Sequence, residues 1–528
     1  MTGGYGLRAL VAASLVAAVT FGAAPGAAAE VKTESGMVEG TTTADGKVRV
    51  FKGIPFAAPP TGDRRWAEPA PVTPWTGVRK ADAFGPRCPQ GNVFGDMVFR
   101  DEMSEDCLNV NVWTPAKPGE KLPVMFWIHG GGFQAGSASE PRQDGEILAR
   151  KGVVVVSANH RLGVFGFLAH PDLTRTSGRN ASGNWGLLDQ VAALRWVQRN
   201  IEAFGGDPGK VTVFGESAGS FSVSAMVATP LAKGLVHGAI GESGAFFTLP
   251  GGGLAALSLT AAEAQGTKLA QALGAADIAA LRAKPWEEIL KGAKGPWFSP
   301  IVDGYVFPKP VPEIYAAREH SPVPLLAGWN ADEIRASVTM APAKTTAESF
   351  AASTRKRFGA NADALLKVYA PTDDEDAVQV AADFAGDTFI AYATWKWIQV
   401  HAAQTNAPVY RYSFDRKIPV EPGTKMNGKD ATAADVGARH AGEIEYVFGT
   451  LKTALPKVPW EPADLTLSDQ MMTYWSNFAK KGDPNGPGVP AWPKYDAAKG
   501  TGVLHLDTTI AVKGDTHRAR YEALDALK

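Results

Sequence analysis

Three short apolar runs set the terms for what this chain can fold into. Residues 122–128, 153–157 and 211–214 contain no charged side chain. A strand with one wet face alternates polar and apolar residues, whereas a strand covered on both faces reads as a continuous apolar run. Amphipathic stretches lie between these runs. Residues 144–150 form one, and residues 187–204 form another, with Val191, Leu194, Val197 and Ile201 at helical spacing. Strand, helix, strand, helix is the pattern of an α/β protein with a largely parallel sheet flanked by helices. Residues 235–241, 323–329 and 409–414 extend it with further strands, and residues 34–75 carry strand and turn signals. Residues 260–292 and 345–402 are rich in alanine and read as helical insertions, long enough to cap a site. Without an internal repeat or a long linker, residues 30–528 are expected to form a single domain.

The third apolar run leads into Gly215-Glu216-Ser217-Ala218-Gly219, and residues 220–227 have helical character. A G-x-S-x-G pentapeptide between strand and helix is the pattern of a nucleophile elbow. The serine sits in strained backbone, and its flanking glycines avoid collisions with the chain on either side. Upstream, His129-Gly130-Gly131-Gly132 follows the first apolar run. Three successive glycines are entropically costly, and an oxyanion hole explains them, because a Cβ would keep backbone N–H groups from reaching a developing oxyanion. Gly131 and Gly132 are the expected donors, with Ala218 after the nucleophile as a third.

On this architecture the acid and the histidine follow the serine along the chain. Histidines 320, 401, 440, 505 and 517 come after Ser217. His320 and His517 stand in charged stretches, His401 in a helical run and His505 in an apparent strand. His440 lies in a glycine-containing loop, the setting a base needs to reach over a sheet edge. After the strand at 323–329 come Asp332 and Glu333, and position does not separate them.

Lys and Arg total 53 and Asp and Glu 54, so charge supplies no reason to expect nucleic acid as a partner. Residues 1–29 read as a signal peptide, with Arg8 before an apolar run and Ala27-Ala28-Ala29 at the cleavage positions. The apolar run is short for a bilayer span, so a secreted or periplasmic protein without a stable membrane span is expected. In an exported chain the two cysteines, Cys88 and Cys107, are expected to pair. The loop they close would contribute on the order of 3 kcal/mol. Gly423 to Lys429 resembles the start of a phosphate loop, but Asp430 replaces the required Ser or Thr and no apolar strand leads in. No metal motif or dinucleotide fingerprint stands in a suitable context, so neither metal nor cofactor is expected.

Longer motifs carry a resemblance. They include Phe51-Lys52-Gly53-Ile54-Pro55, residues 105–113, Asn159-His160-Arg161-Leu162-Gly163, residues 183–190, the elbow, and Gly482-Asp483-Pro484-Asn485. Together they resemble the type-B carboxylesterases, the carboxylesterase and cholinesterase family of α/β-hydrolases, over essentially the whole mature chain. The resemblance implies a serine hydrolase that cleaves small-molecule carboxylic esters through an acyl-enzyme. Its triad would be Ser217, Glu333 and His440, the last in a His-x-x-Glu pattern with Glu443. It also implies Cys88–Cys107 as a disulfide, Ser243 as a hydrogen-bond partner of Glu333, and Glu216 bordering the imidazole. Arg65–Glu105 and Arg161–Asp189 would be structural ion pairs. A lipase, thioesterase or transacylase with the same triad, or a non-catalytic adhesion protein on this fold, are the alternatives.

Two departures stand out. Ile334-Arg335 follows Glu333 where family members have glycine, which would reshape the loop or place a cation near the site. The segment between the cysteines has Phe94 and Phe99 but no tryptophan, so a cation–π site for quaternary ammonium is not expected. Trp297 and Phe298 would line an acyl pocket or serve packing.

Overall fold

The computed structural model describes residues 29–527 except 95, 96, 100, 250–253, 296 and 340–344. The proposed signal segment therefore lies outside the described residues up to residue 28, and Ala29 already belongs to the first strand. In chain order the strands of the main sheet are β1 (Ala29–Thr33), β2 (Gly36–Thr42), β3 (Arg49–Pro55), β4 (Val78–Lys80), β5 (Asn109–Thr114), β6 (Leu122–Ile128) and β7 (Val154–Ala158). They continue with β8 (Gly206–Glu216), β9 (Gly238–Glu242), β10 (Leu325–Asn330), β11 (Val409–Phe414), β12 (Thr501–Leu506) and β13 (Ala511–Gly514). Their spatial order is β1-β2-β3-β5-β7-β6-β8-β9-β10-β11-β12-β13, with β4 paired to β2. From β7 to β12 every neighbouring pair is parallel, while the pairs towards the two edges are antiparallel apart from β2 with β4. This is the α/β-hydrolase fold.

The apolar runs do what a doubly covered strand requires. In β6, Val124, Phe126 and Ile128 pack into one apolar layer while Met125 and Trp127 pack into the other, the period of two that a pleated strand imposes. Leu187, Leu194 and Val197 of the helix Trp185–Asn200 join the first layer, as does Phe221 of the helix Ala218–Ala228. Leu467, Met471, Trp475 and Phe478 of the helix Pro462–Lys481 fill the second. Each such side chain contributes roughly 1.5–3 kcal/mol when fully buried. Both insertions are helical, with Leu259–Ala272, Ile278–Arg282 and Trp286–Gly292 in the first, and four α-helices between Ala347 and Gln404 in the second.

The strand order positions the site. The chain leaves β6 for β7 on one side and returns to β8 on the other, so the order reverses at β6. In open α/β sheets, ligands bind beyond the carboxyl ends of the strands at such a reversal. The carboxyl end of β6 runs into the glycine loop and that of β8 into Ser217. Cys88 and Cys107 form a disulfide, and both are buried. Gly423 to Lys429 lies on an exposed two-stranded turn, Lys425–Met426 against Lys429–Asp430. No helix among the described residues is long and apolar enough to cross a membrane.

Candidate active site

Ser217 occupies the tip of the turn between β8 and the helix Ala218–Ala228, at φ 53° and ψ −122°. A non-glycine residue in this region is strained, and such strain persists only where its surroundings enforce it. The enforcement is visible in the neighbouring glycine, since a Cβ on Gly219 would stand 2.0 Å from the carbonyl oxygen of Ile128. The elbow is thus wedged against the end of β6, and Ser217 is left at the sheet edge, 7% exposed.

The same close packing brings the glycine loop beside the serine. A Cβ on Gly130 would lie 3.3 Å from the Cβ of Ser217 and 2.6 Å from Glu216 Oε2. Gly131 and Gly132 have φ of 109° and 60°, which glycine adopts at little cost. Among the described residues the N–H groups of Gly131, Gly132 and Ala218 donate to no partner. Ala218 is the first residue of its helix, where N–H groups have no intrahelical acceptor. His129 supports the loop from behind. Its Nδ1 contacts the carbonyl of Gly130 at 2.9 Å, and its ring stacks on His160 at 4.5 Å. Burial lowers the His129 pKa to about 3, so the ring is neutral at ordinary pH.

The acid and the histidine arrive after β10 and β11, beyond β9 in the sheet. Glu333 follows β10, and one of its oxygens, Oε1, accepts from Ser243 Oγ at 2.6 Å and from the Asn330 N–H at 2.9 Å. The other, Oε2, lies 2.5 Å from His440 Nδ1. Asp332, which sequence position could not separate from Glu333, has a different contact set. Its carboxylate accepts from the Ala438 N–H at 3.0 Å, and its own N–H donates to the Ala438 carbonyl at 3.1 Å. It clamps the loop that carries His440 and does not touch the imidazole. Asn330, which the sequence did not single out, donates from Nδ2 to Glu443 Oε2 at 2.6 Å and to the Arg439 carbonyl at 2.7 Å. Its only sequence signal is its place at the end of a strand.

His440 Nε2 lies 3.2 Å from Glu216 Oε1. No hydrogen bond joins it to Ser217 Oγ among the described residues. Unliganded sites often hold such contacts long and tighten them only around substrate. Burial alone would favour the neutral imidazole, but the carboxylates of Glu216 and Glu333 outweigh it and raise His440 to about 9. Glu216 is raised to about 7, chiefly by burial, with His440 pulling it back. Glu242 and Glu443 lie buried beneath. Trp475 Nε1 donates to Glu242 at 2.8 Å, and burial raises this carboxyl to about 8. Burial, joined by the neighbouring carboxylates, raises Glu443 well above the usual range.

The other expected contacts can be read directly. Arg65 makes two hydrogen bonds with Glu105, at 2.6 and 2.5 Å, and Arg161 two with Asp189, at 2.8 and 2.7 Å. The second pair is buried and the first largely so. The Arg335 cation lies next to the loop that carries His440. Its Nε donates to the Ala434 carbonyl at 2.9 Å and its Nη1 lies 3.8 Å from Asp332. Phe298 is core, 3% exposed, whereas Trp297 is 42% exposed and donates from Nε1 to the Gly132 carbonyl at 3.1 Å. Among the described residues no group of three or more His, Cys, Asp or Glu could hold a metal ion.

Comparison with known proteins identifies the family. Residues 27–524 match the model of the carboxylesterase family. The chain is 37% identical to fumonisin B1 esterase of Sphingopyxis macrogoltabida, over 88% of this chain and 84% of that protein. It is 36% identical to liver carboxylesterase of Sus scrofa, over 96% and 95% of the two chains. The crystal structure of Geobacillus stearothermophilus carboxylesterase EST55 superposes with a TM-score of 0.80 at 33% identity, covering 94% of this chain and 99% of that one. A strained serine between strand and helix, free amides beside it and a histidine held by a carboxylate are what acyl transfer requires, and the chain belongs to the carboxylesterase family, as a hydrolase of carboxylic esters.

Proposed function

We propose that Ser217 is the nucleophile, His440 the general base and Glu333 the residue that orients and compensates the base. Ser217 Oγ attacks the ester carbonyl carbon as its proton passes to His440 Nε2. The carbonyl oxygen becomes an oxyanion and receives the N–H groups of Gly131, Gly132 and Ala218, each donor being worth roughly 3–4 kcal/mol in the transition state. The C–O bond to the alcohol breaks as Nε2 returns the proton to the leaving oxygen. Water then attacks the acyl-enzyme by the same route and releases the acid. The observation that carries this reading is the hydrogen-bonded line from Ser243 through Glu333 to His440, at 2.6 and 2.5 Å, directed at the elbow beside unpaired amides. Glu216 serves the imidazolium as a second counter-charge.

Ser217→Ala is expected to lose almost all turnover of a simple aryl ester and all labelling by a fluorophosphonate, with its circular dichroism unchanged. Turnover close to wild type in that variant would remove Ser217 from the mechanism. We also propose that residues 1–29 direct export and that residues 30–528 work as one domain in a secreted or periplasmic setting, where a buried disulfide persists.

A further inference from the structure

The helix that lies against Glu333 contains an irregularity. Asp376–Gly386 runs into a π-helical turn, Asp387–Ala391, before Tyr392–Gln404 resumes α-helical pitch. A π turn carries an extra residue and re-aims side chains, and such turns gather at functional sites. Its first end is fixed against the acid, since a Cβ on Gly386 would lie 3.2 Å from Glu333 Cβ. Its buried Asp387 accepts from Tyr369 Oη at 2.7 Å. Ile390 and Ala391 go into the core. Phe389 does not: it is 37% exposed, and its ring stands 5.6 Å from the His440 imidazole, tilted at 66°. An edge-on aromatic contact of this kind leaves part of the phenyl ring open to whatever enters.

The chemistry states what enters there. His440 hands its proton to the leaving oxygen, so the alcohol half of the ester must lie along the imidazole. The carbonyl oxygen must lie against Gly131 and Gly132, where Trp297 is hydrogen-bonded to the Gly132 carbonyl. The aromatic that borders the base therefore meets the alcohol, and the one that borders the oxyanion loop does not.

We infer that Phe389, turned out of the core by the π turn, is a specificity-determining residue that selects esters whose alcohol carries a planar apolar group next to the ester oxygen. The inference rests on the triad proposed above. Benzyl acetate and methyl phenylacetate are isomers with the same ring on opposite sides of the ester bond, and they test it. In Phe389→Ala, kcat/KM for benzyl acetate should fall about three- to tenfold more than for methyl phenylacetate, mainly through KM, as expected for loss of one aromatic contact. Phe389→Leu, which keeps apolar bulk, should show the same preference loss, and Phe389→Tyr should restore the wild-type ratio. Equal losses on both esters would make Phe389 only a support for the imidazole and would overturn the inference. A larger loss on methyl phenylacetate, or none on either, would overturn it too. Ser217→Ala assayed alongside keeps the two readings apart, because turnover there removes the triad whatever Phe389 does.

Discussion

Replacing Glu216 by glutamine removes a charge and little volume, and its effect on the base can be worked out from the site. Glu216 Oε1 is 3.2 Å from His440 Nε2. At an effective dielectric of about 20, opposite unit charges at that separation attract by about 5 kcal/mol, or between three and four pH units of proton affinity. That figure is a ceiling. Glu216 itself titrates near 7, so its pull on the imidazolium is complete only above that pH. Glu333 stays in place and continues to raise His440. The sign is unambiguous. A carboxylate beside the imidazole stabilises the protonated form, the base works only when neutral, and removing the carboxylate frees the base at lower pH. Glu216→Gln should therefore move the acid limb of kcat/KM for phenyl acetate down by about one to two pH units. The plateau should fall about tenfold, because the imidazolium formed in the transition state loses a counter-charge. The assay is a pH series at constant ionic strength with wild type and variant in parallel. An acid limb that stays in place or moves up would refute the electrostatic reasoning, even if the variant were less active.

Further outcomes follow from the same geometry. Glu333→Gln should lower kcat by about 10³–10⁴-fold, as loss of an orienting carboxylate does elsewhere, whereas Asp332→Asn should cost about tenfold through a loosened loop; a near-active Glu333→Gln with a dead Asp332→Asn would reverse the roles. Gly219→Ala places a Cβ 2.0 Å from the Ile128 carbonyl oxygen, so it should destabilise the fold by about 3 kcal/mol or more, read as a lowered urea midpoint; an unchanged midpoint would contradict the wedge described for the elbow. The double substitution of Cys88 and Cys107 by serine should cost roughly 3 kcal/mol and shorten the half-life at elevated temperature. Equal half-lives for the wild type and the double variant would show that the disulfide does not stabilise the chain.

The parts of the fold that announced themselves were those with one strong local cause. The uninterrupted apolar runs marked β6, β7 and the core of β8, and the Val409–Phe414 strand was legible to the residue. The elbow was legible because only a tight turn explains glycines two residues either side of a serine. Strand ends shifted by a few residues where β8 reaches back to Gly206, since its first five residues, Gly206-Asp207-Pro208-Gly209-Lys210, carry no apolar run and the register with β6 shifts between Gly206 and Val211. The helix Pro462–Lys481 escaped notice, because its mixed polar and apolar residues become meaningful only when β6 and β8 supply the surface it covers. At the site, position along the chain did not separate Glu333 from Asp332, and only the family resemblance selected Glu333. Neighbouring carboxylates on one turn point in different directions, and only the fold states what each one meets. Phe389 was invisible for a related reason: a π turn has no residue signature, and without it the ring would have been counted with the core.

The clamp made by Asp332 divides the catalytic apparatus into two bodies. Asp332, one residue before Glu333, fastens its amide and its carboxylate onto Ala438, two residues before His440, so the carboxylate of Glu333 and the imidazole ride on one stapled piece of backbone. The hydroxyl rides on another, wedged between β6 and the helix behind it. On the proposed mechanism, a shift of Nε2 from Glu216 towards Ser217 would displace a stapled pair, joined by the 2.5 Å contact between His440 and Glu333, relative to a fixed post.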